Sequence, residues 1–323
     1  LEIGFAGLPR RLETIVEIGQ RAEAAGVRWF GVADSPVLFT DPYAAIQAIL
    51  GATSTMRVGT CVTNPVTRHW SVQASAFRAL DQLGPGRSFM GIGPGDSAVH
   101  SVGLAPASPT ELASYVEEVR RLQEPGTLDV MVAAGGPKAV RHAAAYADHL
   151  ILGQGASREA IDSLGQSADS AERKDGGAPQ RWLFLIFNLA DHPRDCDSAR
   201  ADIRAIVVAF SRQAFDRTFE GKSVRPELQE PLQALYANYA FEQHSMPGES
   251  ANARLLAEEE RAELEAFLFE RFALVDVPEA AAERLLAMTE HTGIDRVFLC
   301  VEASDPLNLV RLACERMLPR LPL

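Results

Sequence analysis

Short apolar runs rich in β-branched residues alternate with stretches whose apolar positions recur every three or four residues, almost from one end of the chain to the other. The runs at 2–8, 29–34, 57–64, 87–93, 128–135, 149–155, 181–189 and 295–302 read as strands. Between them, "RRLETIVEIGQRAEAAG" carries Leu12, Ile15, Val16, Ile18 and Ala22 at helical spacing and closes with Gly26. The same grammar recurs in "DPYAAIQAILGATS", "SVQASAFRALDQLG", "TELASYVEEVRRL", "GPKAVRHAAAYAD" and "DPLNLVRLACERML". Strand then helix, repeated about eight times, predicts an α/β fold in which a parallel sheet closes into a (β/α)8 TIM barrel rather than staying open.

The rhythm breaks between 197 and 271. This stretch is helical and charged, most of all in "LLAEEERAELEAFLFERF", and no strand is evident until 295. It reads as the seventh connecting helix plus a helical insertion after strand seven, inside one domain spanning 1–323. Such an insertion is either an appended subdomain with solvated charged faces or a lid or dimer surface.

With 323 residues and 47% hydrophobic content the chain can bury a large core. A formal charge of -12 argues against nucleic acid and anionic membranes as partners, since both reward a basic face. No apolar run approaches the roughly 18 residues that span a bilayer, and "LEIGFAGLPRR" reads as a strand and a turn rather than a signal peptide, so a cytoplasmic protein is expected. The absence of an initiator Met, with a strand at the first residues, suggests that the natural chain starts slightly earlier. Cys61, Cys196, Cys300 and Cys314 lie far apart with no CxxC pair and read as reduced thiols, with neither a zinc site nor a disulfide framework.

In barrels of this kind the C-terminal strand ends face the active site. Here those ends are polar or glycine-rich: Asp34 and Ser35, Thr63 and Asn64, "GIGPGDS", "AAGGPK", "GQG", Asn188 and Glu302. No zinc-ligand spacing, GxSxG elbow or P-loop lysine motif is present. "GIGPGD" lacks the third glycine of a dinucleotide fingerprint and reads on spacing alone as a tight turn or a ligand loop. In "AAGGPKAV", Gly135 and Gly136 let backbone N–H groups approach an anion, Pro137 suits a first helical turn, and Lys138 adds charge beside the positive end of the helix dipole, so a phosphate fits there. His69 opens a helix just past strand three, His142 reads as a helix-surface residue, and His100 follows "GDSAV" within reach of a substrate.

"GTCVTNPVTRHW", "LDQLGPGRSFMGIGPGDSAVHSVG" and "VMVAAGGPKAVRHAAAYADHLILGQG" together resemble the luciferase-like monooxygenase superfamily. Within it, "VTNPVTRH" and "GIGPGD" look most like the branch around methylenetetrahydromethanopterin reductase, which uses the deazaflavin coenzyme F420. The resemblance covers 2–155, resumes from "PEAAAERLLAMTEHTGIDRV" onward, and is loose over 191–271. It implies a non-prolyl cis peptide in strand three, at Cys61 and Val62, supporting the central ring of the coenzyme. It further implies Asp34 and Ser35 near the ring edge, Thr63 and Asn64 beside the coenzyme, and Gly93, Gly95 and Asp96 along its side chain. Ala134, Gly135, Gly136 and Lys138 would take the phosphate, with Gly153, Gln154 and Gly155 closing that side. Asp34, Ser35, Asn64 and Asp96 are the candidate catalytic groups, and no metal is expected.

Relatives often carry a histidine after the strand-two aspartate, where "ADSP" supplies Ser35, which leaves the proton donor unassigned. They also often have a longer segment before strand five than the brief "QEPGT". The expected function is hydride transfer between F420 and a small organic substrate, in a homodimer. An FMN-dependent monooxygenase of the same superfamily is the alternative, and a coenzyme-free barrel acting as a binding or assembly protein is the second.

Overall fold

The computed structural model of the chain describes residues 1–173, 176–244 and 246–323. Its strands are β1 Glu2–Gly7, β2 Trp29–Val32, β3 Arg57–Thr63, β4 Ser88–Ile92, β5 Asp129–Ala134, β6 His149–Leu152, β7 Gln180–Leu189, β8 Ala273–Asp276 and β9 Arg296–Val301. All pairings are parallel, in the order β6-β5-β4-β3-β2-β1-β9-β7, and β6 pairs with β7 to close an eight-stranded barrel. The (β/α)8 architecture is thus an α/β TIM barrel.

Helices α1 Leu12–Ala24, α2 Pro42–Ala52, α3 Trp70–Leu83, α4 Ser97–His100, α5 Pro109–Arg121, α6 Pro137–Ala144 and α7 Arg158–Asp169 connect the first seven strands. On α1, Ile15, Ile18 and Ala22 face the barrel, and the chain turns away at Gly26, whose φ of +89° suits a residue without a Cβ. After β7 come α8 Cys196–Asp202, α9 Arg204–Phe215, α10 Pro226–Ala237, α11 Ala251–Ala257 and α12 Ala262–Phe272, then α13 Pro278–Thr292 before β9 and α14 Pro306–Leu312 after it.

Strand β8 departs from the sequence reading, which placed no strand between 189 and 295. It is four residues long and follows α12 with no intervening loop, so its apolar pair Ala273 and Leu274 merges with the helical pattern of "FLFERF". Pairing supplies the reason that it is a strand. β6 stops at Leu152, opposite Leu183, while β7 runs on to Leu189, and Ala273–Asp276 pairs with Ile186–Leu189 to cover the edge left bare.

Inside the barrel, Ala6, Trp29, Cys61, Phe89, Met131, Ile151, Trp182 and Phe298 form one buried cluster. Trp29 meets Phe89 at 5.1 Å and Trp182 meets Phe298 at 4.8 Å between ring centroids, so the N-terminal half of the barrel is plugged with aromatic rings. The helices between β7 and β8 share a second core, built on Val207, Phe215, Leu232, Leu235, Leu264 and Leu268, which continues onto Ile186 and Cys300 of the barrel. They therefore sit over the mouth on the side of β7 and β9.

Candidate active site

Strand β3 carries the distortion around which the mouth is organised. Its register with β4 runs evenly through Thr60 opposite Met90, then shifts so that Thr63 opposes Ile92, and the peptide between Cys61 and Val62 inside this bulge is cis. Gly31 makes room for it, since a Cβ there would lie 2.2 Å from the Cys61 Cβ. Complete burial pushes the Cys61 thiol up to about 12, and burial likewise holds the Cys300 thiol well above its usual range, so both are inert packing groups rather than nucleophiles.

Just above the bulge, the two polar residues ending β3 point different ways. Thr63 Oγ1 donates to Asp34 Oδ2 at 2.7 Å. The Arg68 guanidinium approaches the same carboxylate, with Nε 3.3 Å from Oδ2, and extends to Asp41 Oδ2 at 2.9 Å. Asp34, though buried, is thus fully engaged. Asn64 Oδ1 accepts from the N–H groups of Val66 and Thr67 at 3.0 and 2.9 Å, an Asx turn that stops the strand. Its Nδ2 is buried with no partner, a costly arrangement that points to an acceptor supplied from outside the chain. Ser35 Oγ lies 3.3 Å from Ser97 Oγ.

Gly93, Gly95 and Asp96 form the loop between β4 and α4. Gly95 has φ +93°, and a Cβ on it would meet Val99 at 2.8 Å and Asn64 at 3.4 Å, which fixes this loop against the end of β3. Asp96 accepts from Arg212 of α9 and lies 4.0 Å from His100. Arg212 is only 4% exposed, lies over the Tyr239 and Phe241 rings at 4.9 and 4.7 Å, and keeps a buried Nε with no partner. Tyr239 hydrogen-bonds His244, whose imidazole burial pulls down to about 4, so it is neutral at physiological pH.

The fifth and sixth strand ends bring together the residues that the sequence suggested for an anion. Ala134 closes β5, and Gly135 and Gly136 lead into α6 with Pro137 in its first turn and exposed Lys138 beside it. Around Gly136 there is open space where a Cβ would stand, whereas Gly153 and Gln154 approach Gly135. Gln154 Nε2 donates to the Gly135 carbonyl at 2.6 Å and its own Oε1 accepts from Arg271 at 3.1 Å. Gly155, at φ +62°, is held against the Arg271 carbonyl. Behind this wall stand two buried cations, Arg271 and Lys222, whose ammonium donates to the Ala214 carbonyl; burial and the neighbouring guanidiniums pull Lys222 down to about 8. Their field favours an anion in front of Gly135 and Gly136.

At the last barrel strand, Glu302 is 3% exposed. Its Oε1 accepts from Arg10 Nη2 at 2.8 Å, its Oε2 has no partner, and burial pushes the carboxyl up to about 7 against the pull of Arg10. Sequence reasoning noted Glu302 as a strand end without placing it among the site residues, and it passed over Arg212, Lys222 and Arg271 altogether. A carboxylate closing the apolar run "RVFLCVE" was a legible signal, as was the arginine inside "AIVVAFSRQAF"; neither pattern says what the residue faces. His69 caps α3, accepting from the Ser71 N–H, and His142 is exposed on α6, so both stay outside the mouth cluster. Asn188 donates to the Ala199 carbonyl and serves α8 rather than the cavity. Among the described residues no group of three His, Cys, Asp or Glu is arranged to hold a metal, and no helix is long and apolar enough to cross a membrane. A polar cavity of about 500 Å3 opens at the opposite, N-terminal mouth, beside Trp29, Arg57, Asp129 and His149.

The luciferase-like monooxygenase family model matches residues 4–129 and 111–296. The 5,10-methylenetetrahydromethanopterin reductase of Methanolobus tindarius is 25% identical over 199 residues, covering 53% of this chain and 59% of the reductase. The chain thus spans little more than half the length of the curated reductases that it matches. Among solved structures, the coenzyme F420-dependent tetrahydromethanopterin reductase of Methanopyrus kandleri superposes with a TM-score of 0.74 at 18% identity, over 99% of both chains. A monooxygenase from Streptomyces bottropensis superposes at 0.66 with 18% identity, also over 99% of both. At these identities the structural matches speak for the fold alone.

Proposed function

Because the chain belongs to the luciferase-like monooxygenase family, we propose that it is an oxidoreductase that binds the deazaflavin coenzyme F420 at the C-terminal mouth and passes a hydride between it and a small organic substrate. Bound there, the deazaflavin supplies a carbon centre that gives or takes a hydride, and the protein supplies orientation and electrostatics. The observation that carries this reading is the pairing, across one rim, of a bulged β3 backbone with an anion seat. A planar ring needs a flat support without side-chain obstruction, and its phosphorylated tail needs N–H donors and positive potential. The Cys61–Val62 peptide offers the first and the start of α6, backed by Lys222 and Arg271, the second.

The roles follow from what each group has free. Asn64 Nδ2, buried and unpartnered, donates to an oxygen at the ring edge. Thr63, Asp34 and Arg68 are mutually bonded and hold the β3 end in position. Gly93, Gly95 and Asp96 would line the path from ring to tail, with Arg212 bonded to Asp96 above them. Ala134, Gly135, Gly136 and Lys138 hold the phosphate, and Gly153, Gln154 and Gly155 fix the far wall. The helices spanning 197–271, read as an insertion within a single domain, act as the roof of this site. A homodimer acting in the cytoplasm is the proposed working form.

FMN is the second reading, favoured by the monooxygenase family model that the chain matches, since a phosphate seat of this kind accepts either tail. Equilibrium titration of the purified chain with each coenzyme separates them. Saturable F420 binding at least about tenfold tighter than FMN is expected, a difference of roughly 1.4 kcal/mol. Clear FMN affinity without F420 affinity overturns the F420 assignment.

A further inference from the structure

Along β9 the side chains of Phe298 and Cys300 fall on the same, inward face, and just past the strand the Glu302 N–H turns back onto the Cys300 carbonyl at 3.1 Å. Phe298 packs on Trp182 in the aromatic plug, and Cys300 lies close enough to Cys61 for the two thiols to influence each other. Glu302 therefore stands at the C-terminal end of β9, three strand positions round the barrel from the β3 bulge. Its buried carboxylate lies at the end of the barrel where the function proposed above puts the coenzyme.

The other acidic groups of the mouth are taken, and the one unpartnered hydroxyl of the roof among the described residues, Tyr236 Oη, is no carboxylic acid. Asp34 is held by Thr63 and Arg68, Asp96 by Arg212, and the Ser35 hydroxyl lies against Ser97. Asp202, which faces Glu302 from the end of α8, accepts from the Ser304 N–H at 2.9 Å and from the Ser304 hydroxyl. Among the described residues, Glu302 Oε2 is the one buried carboxylate oxygen with no partner. Resting on the F420 reading, we propose that Glu302 is the catalytic residue that exchanges a proton with a carbonyl or imine substrate, with Arg10 fixing its orientation through Oε1.

In the reducing direction the substrate carbon gains a C–H bond from the hydride of the reduced deazaflavin. The C=O or C=N π pair moves to the heteroatom, which takes the proton from Glu302 Oε2. The substrate gains two electrons, the deazaflavin loses two, and the carboxylate left beside Arg10 regains its proton from water. Burial, with Asp202 adding and Arg10 opposing, puts the carboxyl at about 7, where acid and base forms are both populated and a proton-transfer group works best. The remaining groups facing this corner are His244, kept neutral by burial, and beyond it Asp96 and Arg212, which offset each other.

The test uses Glu302→Gln, which preserves shape and an acceptor for Arg10 but holds no transferable proton, alongside Glu302→Asp. Infrared difference spectra of wild type should show a protonated-carboxyl band titrating near pH 7 that Glu302→Gln lacks. With reduced F420 and acetone or cyclohexanone as hydride acceptors, Glu302→Gln should lose about 100-fold or more in turnover. It should keep F420 affinity within about threefold, while Glu302→Asp restores part of the rate. A carboxyl band titrating below about pH 5, or a Glu302→Gln protein with wild-type turnover and pH profile, overturns the proposal. Failure of the F420 reading shows separately, as a wild type that binds no F420, and removes the catalytic role with it.

Discussion

Gly155 is held with φ +62° and the Arg271 carbonyl oxygen 2.2 Å from where a Cβ would stand. Both the backbone conformation and the backbone neighbour exclude a side chain, so Gly155→Ala should destabilise the fold by about 2–4 kcal/mol, read as a lowered urea midpoint at unchanged slope. Glu302 and His244 give the mouth a readable pH signature. Glu302 is raised from 4.5 to about 7, so its contribution to stability is complete below about pH 4.5 and is lost as pH rises through 7. The loss amounts to about 3 kcal/mol. His244 is lowered from 6.5 to about 4, so its contribution is complete above about 6.5 and is lost as pH falls through 4. Urea unfolding of wild type across this range should show the two slopes opposing each other. Glu302→Gln should abolish the decline toward alkaline pH and leave the acid-side decline in place.

Helix α9 meets the barrel through Phe210 stacked on Phe184 and through one charged tie, Arg212, which reaches Asp96 in front of α4 and Asp216 at the end of its own helix. Removing one partner of a buried ion pair costs about 3–5 kcal/mol, and the partial exposure of Asp96 reduces that to about 2–3 kcal/mol for Arg212→Ala. The roof should loosen with it. Limited proteolysis followed by mass mapping should show faster cleavage between 216 and 250 in Arg212→Ala than in wild type, and equal rates would mean that the roof is held elsewhere. The same contrast between local and distant causes marks what the sequence disclosed. The eight barrel strands and the polar residues at their ends were legible because each follows from periodicity and from one chain segment. β8 was not, since four residues carry no period and only the bare edge of β7 makes them a strand. Nor were Arg212, Lys222 and Arg271: their burial depends on helices folding back over strand ends more than 50 residues away in sequence.

At the scale of the molecule, one half of the barrel is closed by Trp29, Phe89, Trp182 and Phe298, with Arg57 Nε, Ser88 Oγ and Arg296 Nε unpartnered at its strand starts, and the other half holds the unpartnered Asn64 Nδ2, Arg212 Nε and Glu302 Oε2. A chain with a formal charge of -12 nevertheless buries Lys222 and Arg271 behind an open helix start, which sets positive charge where a small anionic ligand would gain. The proposed coenzyme site is therefore the C-terminal mouth rather than the polar cavity beside His149 at the other end. A crystal structure of the chain saturated with F420 tests this most directly. It should show the deazaflavin ring against the Cys61–Val62 peptide, an acceptor on Asn64 Nδ2, and the phosphate on the N–H groups at Gly135 and Gly136. A coenzyme found in the cavity beside Trp29 and His149, or a mouth that stays closed by Arg212 at saturating F420, would contradict it.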